Sequence, residues 1–325
     1  MLPFDLPRFR LFEEPSPLHR LLRLSATLGD RADIWIKRED LLPLAFGGNK
    51  LRNLEFLVGA ALSEGADTLI TSGRRWSNHC RLTAAAGALA GLRVELVLSG
   101  PPVPGDPGPG VGLMETLGAT VHQLLTDDRS AREAAVKQVA DAARAVDLRP
   151  FVIDVGGSGS VGAWGQVLAA AEAFDQATER GITVDAIVLP SATGGTQAGL
   201  TVGAAWRSPG TRVTGVLVAR PEWELRPAIE SMVAELAAWT GAAVAPDAID
   251  FDAYQLGEGY GRPTAAAAAA TRLLASTEGI LVDPIYTAKA LAGLVAAVRA
   301  GRHDGQTVVF WHAGGTPGLF EPLDL

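Results

Sequence analysis

Short runs rich in valine, isoleucine and leucine alternate with alanine-rich segments along almost the whole chain, and this alternation limits the possible folds more than any other feature. The first run, Asp33-Ile34-Trp35-Ile36-Lys37, predicts a strand, and a helix is expected over 50–63. Strand 68–71, helix 77–90, strand 94–98, helix 111–117, strand 120–124 and helix 130–146 follow. After Pro150 the pattern gives strand 151–155, a helix to Thr178, strand 186–190, helix 196–206, strand 212–219 and helices near 224–239 and 264–277. A last strand is expected at Val308-Val309-Phe310-Trp311. Strands separated by whole helices cannot pair as hairpins. They read as βαβ units, so the expected class is α/β with parallel-rich sheets flanked by helices.

Composition narrows what such a fold can be used for. With 325 residues, 48% of them hydrophobic, the chain can bury more than one domain core. The segment 99–110 holds five prolines and four glycines, which marks a loop inside one unit rather than a domain linker. A net charge of −8, with no lysine or arginine run longer than two, argues against a nucleic-acid partner. Residues 1–7 have neither a basic nor an apolar leader region, no apolar span reaches membrane length, and one cysteine excludes an intrachain disulfide. The expectation is a cytoplasmic protein that binds no membrane. Five scattered histidines and Cys80 give no metal-ligand spacing, so no metal is expected.

Three turns between strand and helix carry chemistry. In Phe46-Gly47-Gly48-Asn49-Lys50, paired glycines let the backbone pass close to a flat group. Lys50 opens a helix, where the macrodipole disfavours its ammonium and helps to make a nucleophilic amine. Thr193-Gly194-Gly195-Thr196 turns an apolar strand into a helix. Backbone N–H groups there converge, and the threonine hydroxyls add donors: a cradle for a lone phosphate, lacking the lysine of a P-loop. Trp76-Ser77-Asn78-His79 starts a third helix. Ser77 or Asn78 can cap that helix, or the same geometry can hold a substrate carboxylate on Ser77 and free amides, with the Asn78 amide on a ring oxygen. Of three tyrosines, Tyr260 and Tyr286 lie in turn-like surroundings that leave a phenol available.

In this order the motifs resemble the D-cysteine desulfhydrase and 1-aminocyclopropane-1-carboxylate deaminase group of fold-type II pyridoxal-phosphate enzymes, relatives of the tryptophan synthase β subunit. The resemblance runs from Lys37-Arg38-Glu39-Asp40 through the three turns, Val155-Gly156-Gly157-Ser158 and Glu278 to Pro284, to His312-Ala313-Gly314-Gly315. It implies two domains, a large one from 1–50 and 157–325 and a small one inserted at 51–156, with pyridoxal phosphate in the cleft. By resemblance Lys50 forms the Schiff base and shuttles the substrate α-proton, Asn78 bonds the ring hydroxyl and Ser77 holds the carboxylate, with Trp76 and His79 also at the substrate site. Thr193 to Thr196 hold the phosphate, and Tyr260 and Tyr286 do acid–base work near the leaving group.

The implied activity is α,β-elimination from a β-substituted amino acid, releasing pyruvate, ammonia and sulfide or another leaving group, by a homodimer. Thr287 stands where the deaminases carry a glutamate near the pyridine nitrogen, which favours elimination over ring opening. Trp76 and Ala313 also depart from the pattern, and Arg74-Arg75 could hold a further anionic group, so a sulfonated or otherwise β-substituted amino acid is a possible substrate class. The rival readings are a cyclopropane deaminase, a β-replacement enzyme, and a binding protein that has lost catalysis.

Overall fold

The structure, a computed structural model, describes residues 6–100 and 108–321. In chain order its elements are β1 (Leu18–Arg20), α1 (Leu22–Thr27), β2 (Asp33–Arg38), α2 (Lys50–Ser63), β3 (Thr68–Arg74), α3 (Asn78–Ala90), β4 (Arg93–Ser99) and α4 (Pro109–Thr116). They continue with β5 (Thr120–Gln123), α5 (Arg129–Arg144), β6 (Pro150–Val152), α6 (Ser160–Glu179), β7 (Ala186–Ser191), α7 (Gly195–Arg207) and β8 (Arg212–Leu217). The last are α8 (Glu222–Thr240), β9 (Asp250–Asp252), α9 (Ala265–Glu278), α10 (Thr287–Arg299) and β10 (Thr307–His312).

The strands form two sheets. One has the order β1-β2-β10-β7-β8-β9 and the other β5-β4-β3-β6. Only β1 runs antiparallel to its neighbour; the remaining pairs are parallel, as the alternation demanded. The chain's last strand, β10, lies between β2 and β7, which explains its uninterrupted apolar reading: it is covered on both faces. Val308 and Phe310 point to one side, against α1, α9 and α10, while Val309 and Trp311 point to the other, against α6 and α7. Each of those large side chains contributes roughly 1.5–3 kcal/mol by leaving water. The four-stranded sheet has its own core, in which Leu69, Leu96 and Leu98 meet Leu51, Leu54 and Val58 of α2 and Leu82 of α3.

Four elements were not expected from the sequence: β1, α1, β9 and α10. The first three are only three or six residues long. Helix α10 is hidden for another reason. It is buried almost all round, so it lacks the polar stripe by which an amphipathic helix is read. Strand β3 runs to Arg74, three residues past the expected end, whereas β6 ends at Val152, three residues short of its expected end, and Val155 instead opens a 3-10 turn. Most of the proline-rich loop expected over 99–110 falls on 101–107, outside the described residues.

The placement of β10 brings its C-terminal turn against the first chemical turn. The Asn49 N–H donates to the Ala313 carbonyl at 2.9 Å, and a Cβ on Gly314 would stand 2.6 Å from the Gly48 Cα. Two chain segments more than 260 residues apart therefore touch backbone to backbone, and only glycine permits the approach.

Candidate active site

Beneath Lys50 lies a buried ionic network. The Arg52 guanidinium donates to both oxygens of Glu39 at 2.9 Å and to the two oxygens of Glu172 at 2.6 and 2.8 Å. The Lys37 ammonium, wholly buried, donates to Glu172 at 2.6 Å, to the Gln176 side chain at 2.8 Å and to the Ser16 carbonyl at 2.6 Å. These contacts bind β2, α2 and α6 together two residues from Lys50. Asn49 continues the bracing: its side-chain N–H donates to Thr196 Oγ1 at 2.8 Å, and its carbonyl accepts from Gln166 at 2.7 Å. The first and second chemical turns are thereby joined directly.

Lys50 is the first residue of α2, as expected, and its side chain opens onto a cavity of about 350 Å³. Burial pushes the amine down to about 8 from its ordinary 10.5. Desolvation is the cause; no neighbouring cation is needed to lower it. No described residue gives its ammonium a hydrogen bond or ion pair.

The second turn faces the same cavity. Gly194 has φ of +87° and is the residue before α7, so no side-chain oxygen caps that helix, and its first N–H groups remain free for a ligand. A Cβ on Gly194 would stand 2.5 Å from Ile229 Cγ1, so the position requires glycine on both counts. The hydroxyl of Ser158 donates to Thr193 Oγ1 at 2.6 Å, which fixes the other side of the cradle.

In the third turn Ser77 is the N-cap of α3: its Oγ accepts from the Cys80 N–H at 3.2 Å, and the residue also borders the cavity. Capping and ligand contact are thus compatible here. Asn78 is held by Arg81, whose guanidinium donates to Asn78 Oδ1 at 3.1 Å and to the Gly47 carbonyl at 3.3 Å. With Oδ1 occupied, the Asn78 NH₂ is left as the free donor. Arg81 is buried and meets only neutral acceptors, so its guanidinium falls to about 10. In His79, Nε2 lies 3.0 Å from Thr71 Oγ1, which itself donates to the Ile153 carbonyl, so Nε2 carries the proton. Burial, with Lys50 nearby, drives the ring down to about 3, and His79 stays neutral.

The phenols of Tyr260 and Tyr286 are hydrogen-bonded to each other on the opposite wall. Burial raises both above the ordinary tyrosine value, so each keeps its proton at neutral pH. Asp283 presents its carboxylate to the N–H groups of Ile285, Tyr286 and Thr287 and so sets the entry to α10.

Lys50, Ser77, Asn78, His79, Thr193, Gly194, Thr196, Tyr260 and Tyr286 all line one cavity, together with Ala313. Gly195 lies at the start of α7 behind that lining. Two expected residues stand elsewhere. Trp76 does not line the cavity: its ring packs edge-on against Tyr260 at 6.0 Å, with the Arg75 guanidinium 5.4 Å from its centre, so it buttresses the wall. Thr287 is fully buried, and its hydroxyl donates to the Asp283 carboxylate instead of facing the cavity.

The sequence reading missed Arg129, Arg132 and Arg220, which border the cavity mouth with Arg74. Arg129 carries the i,i+4 pairing of an ordinary solvated helix face, to Glu133 at 2.8 Å, so nothing in the sequence singled it out.

Residues 9–314 match the model of the family described as pyridoxal-phosphate dependent enzyme. The chain belongs to that family. Pyridoxal phosphate is its cofactor, and the protein is a pyridoxal-phosphate-dependent lyase of fold type II. The D-cysteine desulfhydrase of Salmonella choleraesuis (strain SC-B67) is 41% identical, over 97% of this chain and 95% of the relative. That of Salmonella newport (strain SL254) is 40% identical with the same coverage. Among solved structures, an ACC deaminase homologue superposes with a TM-score of 0.90 at 33% identity, covering 97% of this chain and 94% of the other. A threonine deaminase, at 21% identity and a TM-score of 0.66 over 93% and 92% of the two chains, shares the fold.

The residues present fit the cofactor. A desolvated amine, an uncapped helix N-terminus framed by glycine and a free amide donor on Asn78 share one cavity. No group of three or more metal-ligating side chains occurs among the described residues, and none of their helices is long and apolar enough to cross a membrane.

Proposed function

We propose that this enzyme catalyses α,β-elimination of a β-substituted amino acid, releasing a keto acid, ammonia and the β-substituent, as its D-cysteine desulfhydrase relatives are named for. The observation that carries the reading is that the lowered Lys50 amine and the bare N-terminus of α7 open onto one cavity. Lys50 would hold the cofactor's aldehyde carbon, the Gly194 to Thr196 amides with Thr193 and Thr196 its phosphate, and Asn78 its ring hydroxyl. When bound, the cofactor supplies the electron sink for breaking bonds at the substrate α-carbon.

This chain's own residues then divide the work. Ser77 Oγ and the amides at the start of α3 hold the substrate carboxylate and fix the α-carbon over the site. Lys50 Nζ takes the α-proton, a role suited to an amine titrating near neutrality. Tyr260 and Tyr286, protonated and linked, donate to the departing group. His79, neutral and bonded to Thr71, holds the floor of the site without adding charge.

The division into a large domain, 1–50 with 157–325, and a small inserted domain, 51–156, is supported by the origin of the strands. Those of the six-stranded sheet come from the first set and those of the four-stranded sheet from the second. A cytoplasmic homodimer is part of the proposal, on family likeness and on the lone, buried Cys80.

Keto-acid release from D- and L-β-substituted amino acids, beside 1-aminocyclopropane-1-carboxylate, tests the reading. Pyruvate with ammonia from the β-substituted set is expected. 2-Oxobutyrate from the cyclopropane substrate alone would instead place the enzyme with the deaminases, in keeping with its solved neighbour.

A further inference from the structure

Four arginines, Arg74, Arg129, Arg132 and Arg220, border the cavity with two carboxylates, Asp127 and Glu224; with Glu133, which pairs with Arg129 at 2.8 Å, counted as well, one positive charge is left over in a chain whose net charge is −8. The carboxylates are already claimed. Asp127 pairs with Arg74, and Glu224 lies 3.8 Å from both Arg129 and Arg220. Arg132 has no carboxylate within ion-pair distance among the described residues; its Nη1 donates to Ser99 Oγ at 3.2 Å, and its Nε is buried without a partner. Burial, then Arg74, Arg220 and Arg129, hold its guanidinium below the ordinary value.

Such crowding of like charge in a partly desolvated place is unfavourable unless an anion occupies it. The place also has a direction. The Arg74 guanidinium stands 5.7 Å from the ring centre of Tyr260, whose phenol meets Tyr286, so the cluster continues the tyrosine wall outward. The amides and Ser77 of α3 provide a separate seat for the carboxylate that every amino acid carries.

We propose that this arginine cluster is a subsite for an oxyanion on the substrate's β-substituent, a sulfonate or a phosphate ester, with Arg132 as its principal donor. The inference rests on the elimination reading for its chemistry. The Cα–H and Cβ–X bonds break, the proton goes to Lys50, and X leaves with the bonding pair as sulfite or phosphate. Water converts the remaining three-carbon enamine to pyruvate and ammonia, with no net oxidation or reduction.

The test pairs turnover with binding. Holoenzyme is assayed on cysteate and O-phosphoserine of both hands beside cysteine and β-chloroalanine, and binding of unreactive 3-sulfopropionate is compared with propionate by calorimetry. The expected result is a kcat/KM at least about tenfold higher for one of the oxyanion substrates, with sulfite or phosphate released in step with pyruvate. 3-Sulfopropionate should bind at least about tenfold more tightly than propionate. Arg132→Gln should collapse both ratios, and Arg132→Lys should restore part of each. Equal or better use of the neutral substrates, with no difference between the two acids, would overturn the proposal. If no substrate yields keto acid while 3-sulfopropionate still discriminates, the elimination reading falls and the oxyanion subsite stands.

Discussion

The protein buries two sets of charges a few residues apart and treats them in opposite ways. Around Arg52 every charge is answered: Lys37, Glu39, Glu172 and Arg52 share short hydrogen bonds with one another and with Ser16 and Gln176. Around the cavity, and among the described residues, Lys50 has no anionic neighbour, Arg81 meets only neutral acceptors and Arg132 faces other arginines. Desolvation acts on both sets. Its cost is offset in the first and left standing in the second, where a ligand can offset it. Paired charge is scaffold; unanswered charge marks where an anionic or electrophilic molecule belongs.

Replacing the reactive member of the second set should have the largest effect. Lys50→Ala is expected to lower keto-acid release by about 10³-fold or more, equivalent to roughly 4 kcal/mol in the barrier, without destabilising the apo fold at neutral pH, since the cost of the desolvated ammonium is removed with it. Activity within tenfold of the parent would break the contrast.

Breaking the first set should act on stability instead. Arg52→Leu leaves Glu39, which has no exposed surface, without its partner, and a loss of about 3–5 kcal/mol is expected in guanidinium unfolding of the apo protein. A loss under about 1 kcal/mol would mean that the network is not the scaffold inferred here.

With Lys50 near 8 when folded and 10.5 when unfolded, the folded chain binds fewer protons between those values, so its stability rises with pH across that window. Apo wild type compared with Lys50→Met should gain at most about 3 kcal/mol between pH 8 and 10.5. A flat difference would show that the amine is not desolvated. The smallest effect is expected from Gly194→Ala, about 1–3 kcal/mol of strain at φ +87° with Ile229 Cγ1 at 2.5 Å, accompanied by weaker cofactor binding.

Much of this was legible in the sequence because it was local. Strand-to-helix turns, paired glycines and the capping serine are written in consecutive residues, and the structure places them where the alternation put them. What was hidden depends on distant chain. Helix α10 shows no periodic stripe because β7, β8 and α9 cover it together. Of the adjacent pair Arg74-Arg75, both set against the Trp76 indole, only Arg74 lines the cavity, since β3 ends between them. Arg132 looks like any charge on a polar helix until α5 is seen to lie over the cavity mouth. The indole expected in the substrate site serves the wall behind it, because Tyr260 arrives from a remote loop and stands in front.

The central claim concerns which amine carries the cofactor, and the chain offers only four lysines, Lys37, Lys50, Lys137 and Lys289. Lys37 is committed to Glu172, Lys137 is exposed, and Lys289, although also lowered to about 8, donates to the carbonyls of Leu256 and Gly259. Borohydride reduction of the cofactor-loaded protein, followed by peptide mass spectrometry, reads the answer directly. A phosphopyridoxyl group is expected on Lys50 alone; the same group on Lys289, or on no lysine, would overturn the assignment of Lys50.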